Sequence, residues 1–203
     1  MKNDKMIKYS FLNKRNYQKN NYSLVPLRKK DIQLIRKWRN KQIEFLRQSK
    51  YISTSEQIHY YEKVIKKTFN QNKPKQILFS FLYCDDLIGY GGLTNINWKS
   101  KICELSFLVS PERYQNKLLY RKDFTNFLKM IFEIAFEKGN LNQIFTETYD
   151  VRPNHIAILE KFNFIINKRK ENHVIINFKK VDSLIHIYTR SIDGNEKFEK
   201  NYN

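Results

Sequence analysis

The chain has 203 residues, 41% of them hydrophobic, and a formal net charge of +18. That length and apolar share suit one globular domain with a buried core and require no second one. The charge favours an anionic partner, whether nucleic acid, an acidic membrane surface or a phosphorylated small molecule, or else it serves only to keep a lysine- and asparagine-rich chain in solution.

Residues 1–21 are polar and lysine-rich with scattered aromatics, and read as a loose basic arm. Residues 22–27 form a first strand, followed by a helix in which Ile32, Ile35 and Trp38 recur at helical spacing. Ser53 with Glu56 three residues on is a capping-box pattern, and Ile58, Tyr61, Ile65 and Phe69 give the helix it opens an apolar stripe. A second strand spans 76–84, with Asp85 and Asp86 as the turn out of it.

The stretch 87–109 is a hairpin, and the rest of the chain is organised around it. Cys103, Leu105, Phe107 and Val109 alternate with Ile102, Glu104, Ser106 and Leu108, the period-two pattern of a strand, so Glu104 lies on the face opposite the odd-numbered apolar set. The preceding strand holds Gly89, Gly91 and Gly92, three of the five glycines, which signals a bulge or a close backbone approach. A turn at 97–100 joins the two strands.

A basic, polar loop at 113–122 opens a long helix in which Phe124, Phe127, Leu128, Ile131, Phe132, Ala135 and Phe136 repeat at three and four, until Gly139 stops the run. A strand at 143–148, a short helix at 153–162 and two final strands across 164–188, broken near 169–172, complete a domain spanning 22–190. A polar tail follows from 191 to 203. Alternating strands and helices in this order make an α/β domain with helices on both faces of its sheet. Cys84 and Cys103 sit in apolar runs and read as buried thiols in a reducing compartment. The N-terminus lacks the apolar core of a signal peptide and no run reaches the length of a membrane span, so a cytoplasmic protein with no membrane partner is expected. No His or Cys spacing suggests a metal site.

Several strings carry a resemblance: Leu27-Arg28 with Asp31 and then Trp38-Arg39-Asn40; the run 87–93; Glu104 to Leu108; Leu159-Glu160-Lys161-Phe162-Asn163-Phe164; and Asp182 to His186. In this order over residues 22–190 they resemble the GNAT superfamily of acyl-CoA-dependent N-acyltransferases. The match is to the branch of ribosomal-protein N-terminal acetyltransferases and bacterial amino-sugar-nucleotide acetyltransferases. The resemblance implies a mixed, mostly antiparallel central sheet of about seven strands, acetyl-CoA as co-substrate and direct attack by an amine. Two positions depart from the family pattern. The small residues of its pyrophosphate loop are replaced by Leu118 and Tyr120, and its thiolate-protonating tyrosine is missing near Ile158 and Leu159.

On the resemblance, Glu104 is the candidate base, with pairing to a strand neighbour or a lysine as the alternative. His155 and Tyr149 are candidate proton donors. The backbone of Phe107, Leu108 and Val109 would hold the thioester and pantetheine, Asn154 would contact pantetheine, and Arg113, Gln115, Asn116, Lys117, Leu118, Leu119 and Tyr120 would surround the pyrophosphate. Trp38, Arg39, Asn40, Tyr90, Asn95 and Asn97 would line the acceptor side, with core packing the alternative for Trp38. The expected activity is N-acetylation of a primary amine on a small acceptor such as an amino-sugar nucleotide, with a homodimer as the assembly considered. The rival reading is a GNAT-like module that has lost catalysis and binds an anionic ligand or nucleic acid, and nucleic acid is the less favoured partner.

Overall fold

A computed structural model describes residues 8–12, 14 and 16–190. The expected tail at 191–203 lies outside the described residues. The elements in chain order are β1 (Tyr17–Lys19), β2 (Tyr22–Pro26), α1 (Ile32–Lys41), α2 (Thr54–Tyr60) and, after a π-helical turn at Tyr61–Ile65, α3 (Lys66–Thr68). They continue with β3 (Ile77–Tyr83), β4 (Asp86–Asn97), β5 (Ile102–Val109), α4 (Pro111–Gln115), α5 (Lys117–Phe132), β6 (Gln143–Tyr149), α6 (Pro153–Lys161), β7 (Ile165–Ile176) and β8 (Lys179–Thr189).

The strands form one sheet in the order β1-β2-β3-β4-β5-β6-β8-β7. Every neighbouring pair is antiparallel except β5 with β6. The eighth strand is β1, from the segment expected to be a loose arm. Tyr9, Leu12 and Tyr17 are buried there, and the Tyr9 hydroxyl donates to the Leu78 carbonyl at 2.8 Å. Aromatic burial thus overrides the polar composition of the segment.

The capping box forms as expected: the Glu56 amide donates to Ser53 Oγ at 3.2 Å, and the Ser53 amide to Glu56 Oε2 at 2.8 Å. The apolar stripe of α5 is wholly buried and packs aromatic on aromatic, Phe107 to Phe124 at 4.5 Å and Phe81 to Phe127 at 5.4 Å between ring centres. Gly91 permits this approach, because a Cβ there would stand 2.8 Å from Phe127 Cζ. The expected break near 169–172 is a register shift inside one long strand, and the chain instead reverses at Asn177 and Phe178, both at positive φ. Cys103 is buried, and burial pushes its thiol up to about 12. Cys84, expected to be buried, is exposed at the β3–β4 turn with φ 48°.

Helices on both faces change the reading of Glu104. Strand alternation does set it apart from the odd-numbered apolar set, yet that second face is covered too, by α1 and α2 farther along the strands and by Arg47 and Asn95 at Glu104 itself, which is only 3% exposed. No described helix is long and apolar enough to cross a membrane.

Candidate active site

The site starts from a seam that does not close. β5 pairs with β6 only from Ile102–Gln143 to Glu104–Phe145, after which β5 runs on to Val109 and β6 to Tyr149 without pairing. The Ser110 amide donates to the Ile88 carbonyl at 2.9 Å, which fixes the alternation of the β4–β5 ladder. The amides of Leu108 and Ser106 therefore face β4, while those of Phe107 and Val109 face the open seam. On that side Gln42 Nε2 donates to the Val109 carbonyl at 2.9 Å.

A cleft of about 180 Å³ occupies the seam, lined by Arg39, Phe45 to Arg47, Thr94, Glu104 to Phe107, Thr146, Glu147, Tyr149, Arg152 and His155. Beyond it, on the α1–α2 side, a more apolar hollow of about 350 Å³ is lined by Leu27, Ile35, Tyr60, Leu78 and Tyr90 among others. Arg39, Thr94 and Ser106 line both, so the two spaces adjoin.

Glu104 stands at the closed end of the seam. A bulge in β4 puts Asn95 at φ 48° and turns its amide onto Glu104 Oε2 at 2.6 Å. The other carboxylate oxygen accepts from Arg47, which also reaches Glu147 Oε2 at 3.5 Å across the seam. The Glu147 side chain is only 8% exposed, and its carboxyl is held below the usual range: burial opposes this, but Lys170 at 3.0 Å and Arg47 outweigh burial. Neither Arg47 nor Glu147 stands out in the sequence. The alternation of 143–149 does separate Glu147 from the apolar set, but Arg47 lies in a short irregular stretch without a pattern.

The structure separates the expected acceptor residues. Arg39 lines both spaces, donating to the Tyr90 hydroxyl and, at 2.9 Å, to Gln48 Oε1, and has no carboxylate partner among the described residues. Tyr90 lines the apolar hollow. Trp38 instead joins Ile32 and Ile35 in the core, because it continues their helical stripe. Asn40 clamps the following loop, donating to the Ile52 carbonyl at 2.8 Å and accepting from the Ile52 amide at 2.9 Å. Asn97 caps its own turn by accepting from the Lys99 and Ser100 amides.

The expected pyrophosphate loop is a helix break. α4 ends at Gln115, and Asn116 takes φ −83°, ψ 100° and caps α5, its Oδ1 accepting from the Leu119 amide at 3.1 Å. The Tyr120 amide takes the Asn116 carbonyl, so the Lys117 and Leu118 amides remain as the unsatisfied donors of the first turn. Leu118 is 75% exposed and Tyr120 is buried, so neither bulky side chain covers these donors. Lys117 and Gln115 are exposed beside them and Leu119 is partly buried. Two open amides at a helix N-terminus with a flanking lysine suit a pyrophosphate, and the seam amides of Phe107 and Val109 suit the amide-bearing arm attached to it. The donor set thus fits acetyl-CoA. Arg113 does not belong to it. Its Nε and Nη2 donate to the fully buried Asp123 at 2.6 and 2.7 Å, and Tyr22 donates to the same carboxylate at 3.0 Å.

Of the remaining candidates, Asn154 is exposed at the start of α6 and is absent from the cleft lining. Tyr149 lines the cleft from β6, packed with Ile176 and Val181, and burial raises its hydroxyl. His155 lines the cleft from α6, and burial, then Arg152, hold its imidazole well below the usual range, so it is neutral. Among the described residues no group of three or more His, Cys, Asp or Glu could hold a metal ion.

A family model described as an acetyltransferase (GNAT) domain matches residues 24–185. No curated protein matches the chain. Among solved structures, the spermidine N-acetyltransferase of Vibrio cholerae in complex with CoA and spermine aligns with TM-score 0.72 at 20% identity, over 83% of this chain and 95% of that one. A dodecameric form of that enzyme in an intermediate state gives TM-score 0.72 at 20% identity, over 87% and 98% of the two chains. A chimera of the Vibrio cholerae enzyme with hSSAT gives 0.70 at 20%, over 84% and 96%. At such identity the likeness is one of fold.

Proposed function

The chain belongs to the GNAT acetyltransferase family, and from that premise we propose that it acetylates the primary amine of a small acceptor carrying both an ammonium and an anionic group. As a GNAT N-acetyltransferase it uses acetyl-CoA, which supplies an activated acetyl thioester. The observation that carries the acceptor reading is the charge arrangement of the cleft. Glu104 and Glu147, both nearly buried, are reached from the acceptor-side loop by Arg47, and Glu147 also by Lys170 of β7 at 3.0 Å, whereas Arg39 faces both spaces with no carboxylate partner among the described residues. An ammonium suits the first pair and an anion suits Arg39.

Glu104 would hold the ammonium with Asn95 and remove its proton through a water, and the Phe107 and Val109 amides would orient the thioester at the open seam. An amino-sugar nucleotide meets both charge demands. A polyamine, the acceptor named for the Vibrio cholerae enzyme, would meet only the first and would set a like charge beside Arg39. A steady-state panel with acetyl-CoA, an amino-sugar nucleotide, spermidine and an uncharged amine tests this. Turnover is expected to favour the nucleotide, and an Arg39→Gln variant is expected to raise its KM about tenfold. Spermidine as the best substrate would refute the acceptor reading while leaving acetyl transfer intact.

A further inference from the structure

The expelled thiolate develops its charge inside a partly buried cleft, where a fixed donor is worth more than in water. The reading of acetyl transfer above is the premise here. The tyrosine that the family resemblance supplies for this task is absent at Ile158 and Leu159, both apolar and buried. Tyr149 and Glu147 alternate with Thr146 and Thr148 on β6 and so face the acceptor side. His155 is on the other side of the seam, with α5, whose N-terminus carries the donors for the pyrophosphate.

His155 is held with little freedom. Its ring stacks on Phe124 with centres 4.4 Å apart and planes 10° from parallel, and its Nδ1 lies 2.6 Å from the Tyr120 hydroxyl. That hydroxyl accepts a hydrogen bond from Arg152 Nη2 at 3.0 Å. Arg152 is itself placed over the Tyr114 ring, 5.4 Å from its centre. A phenol that accepts from a guanidinium turns its own hydrogen to its remaining neighbour, and here that neighbour is Nδ1. Nδ1 is then an acceptor, so the ring hydrogen is on Nε2, which has no protein partner among the described residues.

We propose that Tyr120 is a positioning residue that fixes His155 as the neutral Nε2–H tautomer, presenting this hydrogen to the leaving sulfur of acetyl-CoA. As the new C–N bond forms, the C–S bond breaks with its electron pair going to sulfur, and the Nε2–H hydrogen bond stabilises that charge. The protons shed by the amine pass through Glu104 and water to solvent, and the thiolate later takes one from solvent. His155 remains neutral throughout, as its burial requires. Bulky Tyr120 at a position where the family carries a small residue thereby acquires a task.

The test joins spectroscopy to kinetics. Nitrogen-15 spectra of the wild-type protein at neutral pH are expected to show His155 with a protonated Nε2 and a pyridine-like Nδ1. Tyr120→Phe, which keeps the packed ring, is expected to mix the tautomers and to lower kcat about tenfold with the KM for acetyl-CoA unchanged. A wild-type Nδ1–H tautomer, or a Tyr120→Phe enzyme at wild-type kcat, would overturn the proposal. The wild-type tautomer decides it even if the variant fails to fold. Failure of the wild-type protein to acetylate any amine would count instead against acetyl transfer, the premise of this proposal.

Discussion

Arg113→Ala separates a structural role for this arginine from a role at the pyrophosphate. The guanidinium makes two charge-assisted hydrogen bonds to Asp123, and the two side chains are 18% and 0% exposed. Its removal leaves the Asp123 carboxylate enclosed next to Phe124, with the Tyr22 hydroxyl as its remaining donor. Taking one partner from a buried ion pair costs about 3–5 kcal/mol, chiefly through the stranded charge. For a chain of this size each kcal/mol lowers Tm by about 2–4 °C, so a drop of about 10 °C is expected. Thermal melting and urea titration measure it. A second variant, Arg113→Met with Asp123→Leu, removes both charges and is expected to recover most of the loss, because no ion is left unpaired. Unchanged melting together with weaker acetyl-CoA binding in Arg113→Ala would refute this argument and put the arginine at the ligand.

Glu104→Gln keeps the size and the Asn95 contact but removes the base, and kcat is expected to fall about 100-fold or more with little change in the KM for acetyl-CoA, measured in the same steady-state assay. Full activity in that variant would take Glu104 out of proton transfer. Stability is expected to fall as pH drops below about 6.5. His155 and His186 both titrate below the ordinary histidine value because burial disfavours their charged forms, so the unfolded chain binds protons that the native one refuses. The loss is at most about 1.4 kcal/mol per pH unit for each histidine and ends above 6.5, where both states are neutral. Urea midpoints at pH 7.5 and 5.5 measure it, and His186→Leu is expected to flatten the dependence, since His186 is fully buried and neither of its ring nitrogens makes a hydrogen bond of good geometry with a partner among the described residues. An equal slope in that variant would remove His186 from the account.

The sequence by itself determined the elements whose signal is local. Periodicity placed the buried stripe of α5, alternation set Glu104 apart from the apolar face of β5, and Ser53 with Glu56 announced a helix start. Each depends on residues within a few positions of one another, and the order of these elements was enough for the family resemblance. Tertiary structure decided what depends on long-range meetings. Whether Arg113 serves a phosphate or Asp123 is a question of which carboxylate lies within reach after α5 has packed. Whether Tyr120 blocks a ligand or supports His155 depends on which way a helical side chain points once α6 covers it. The parting of β5 from β6 after Glu104 leaves no mark in either strand, because a seam belongs to two strands at once. Arg47 meets Glu104 and Glu147 for the same reason, since only the fold brings residues 47, 104 and 147 to one place.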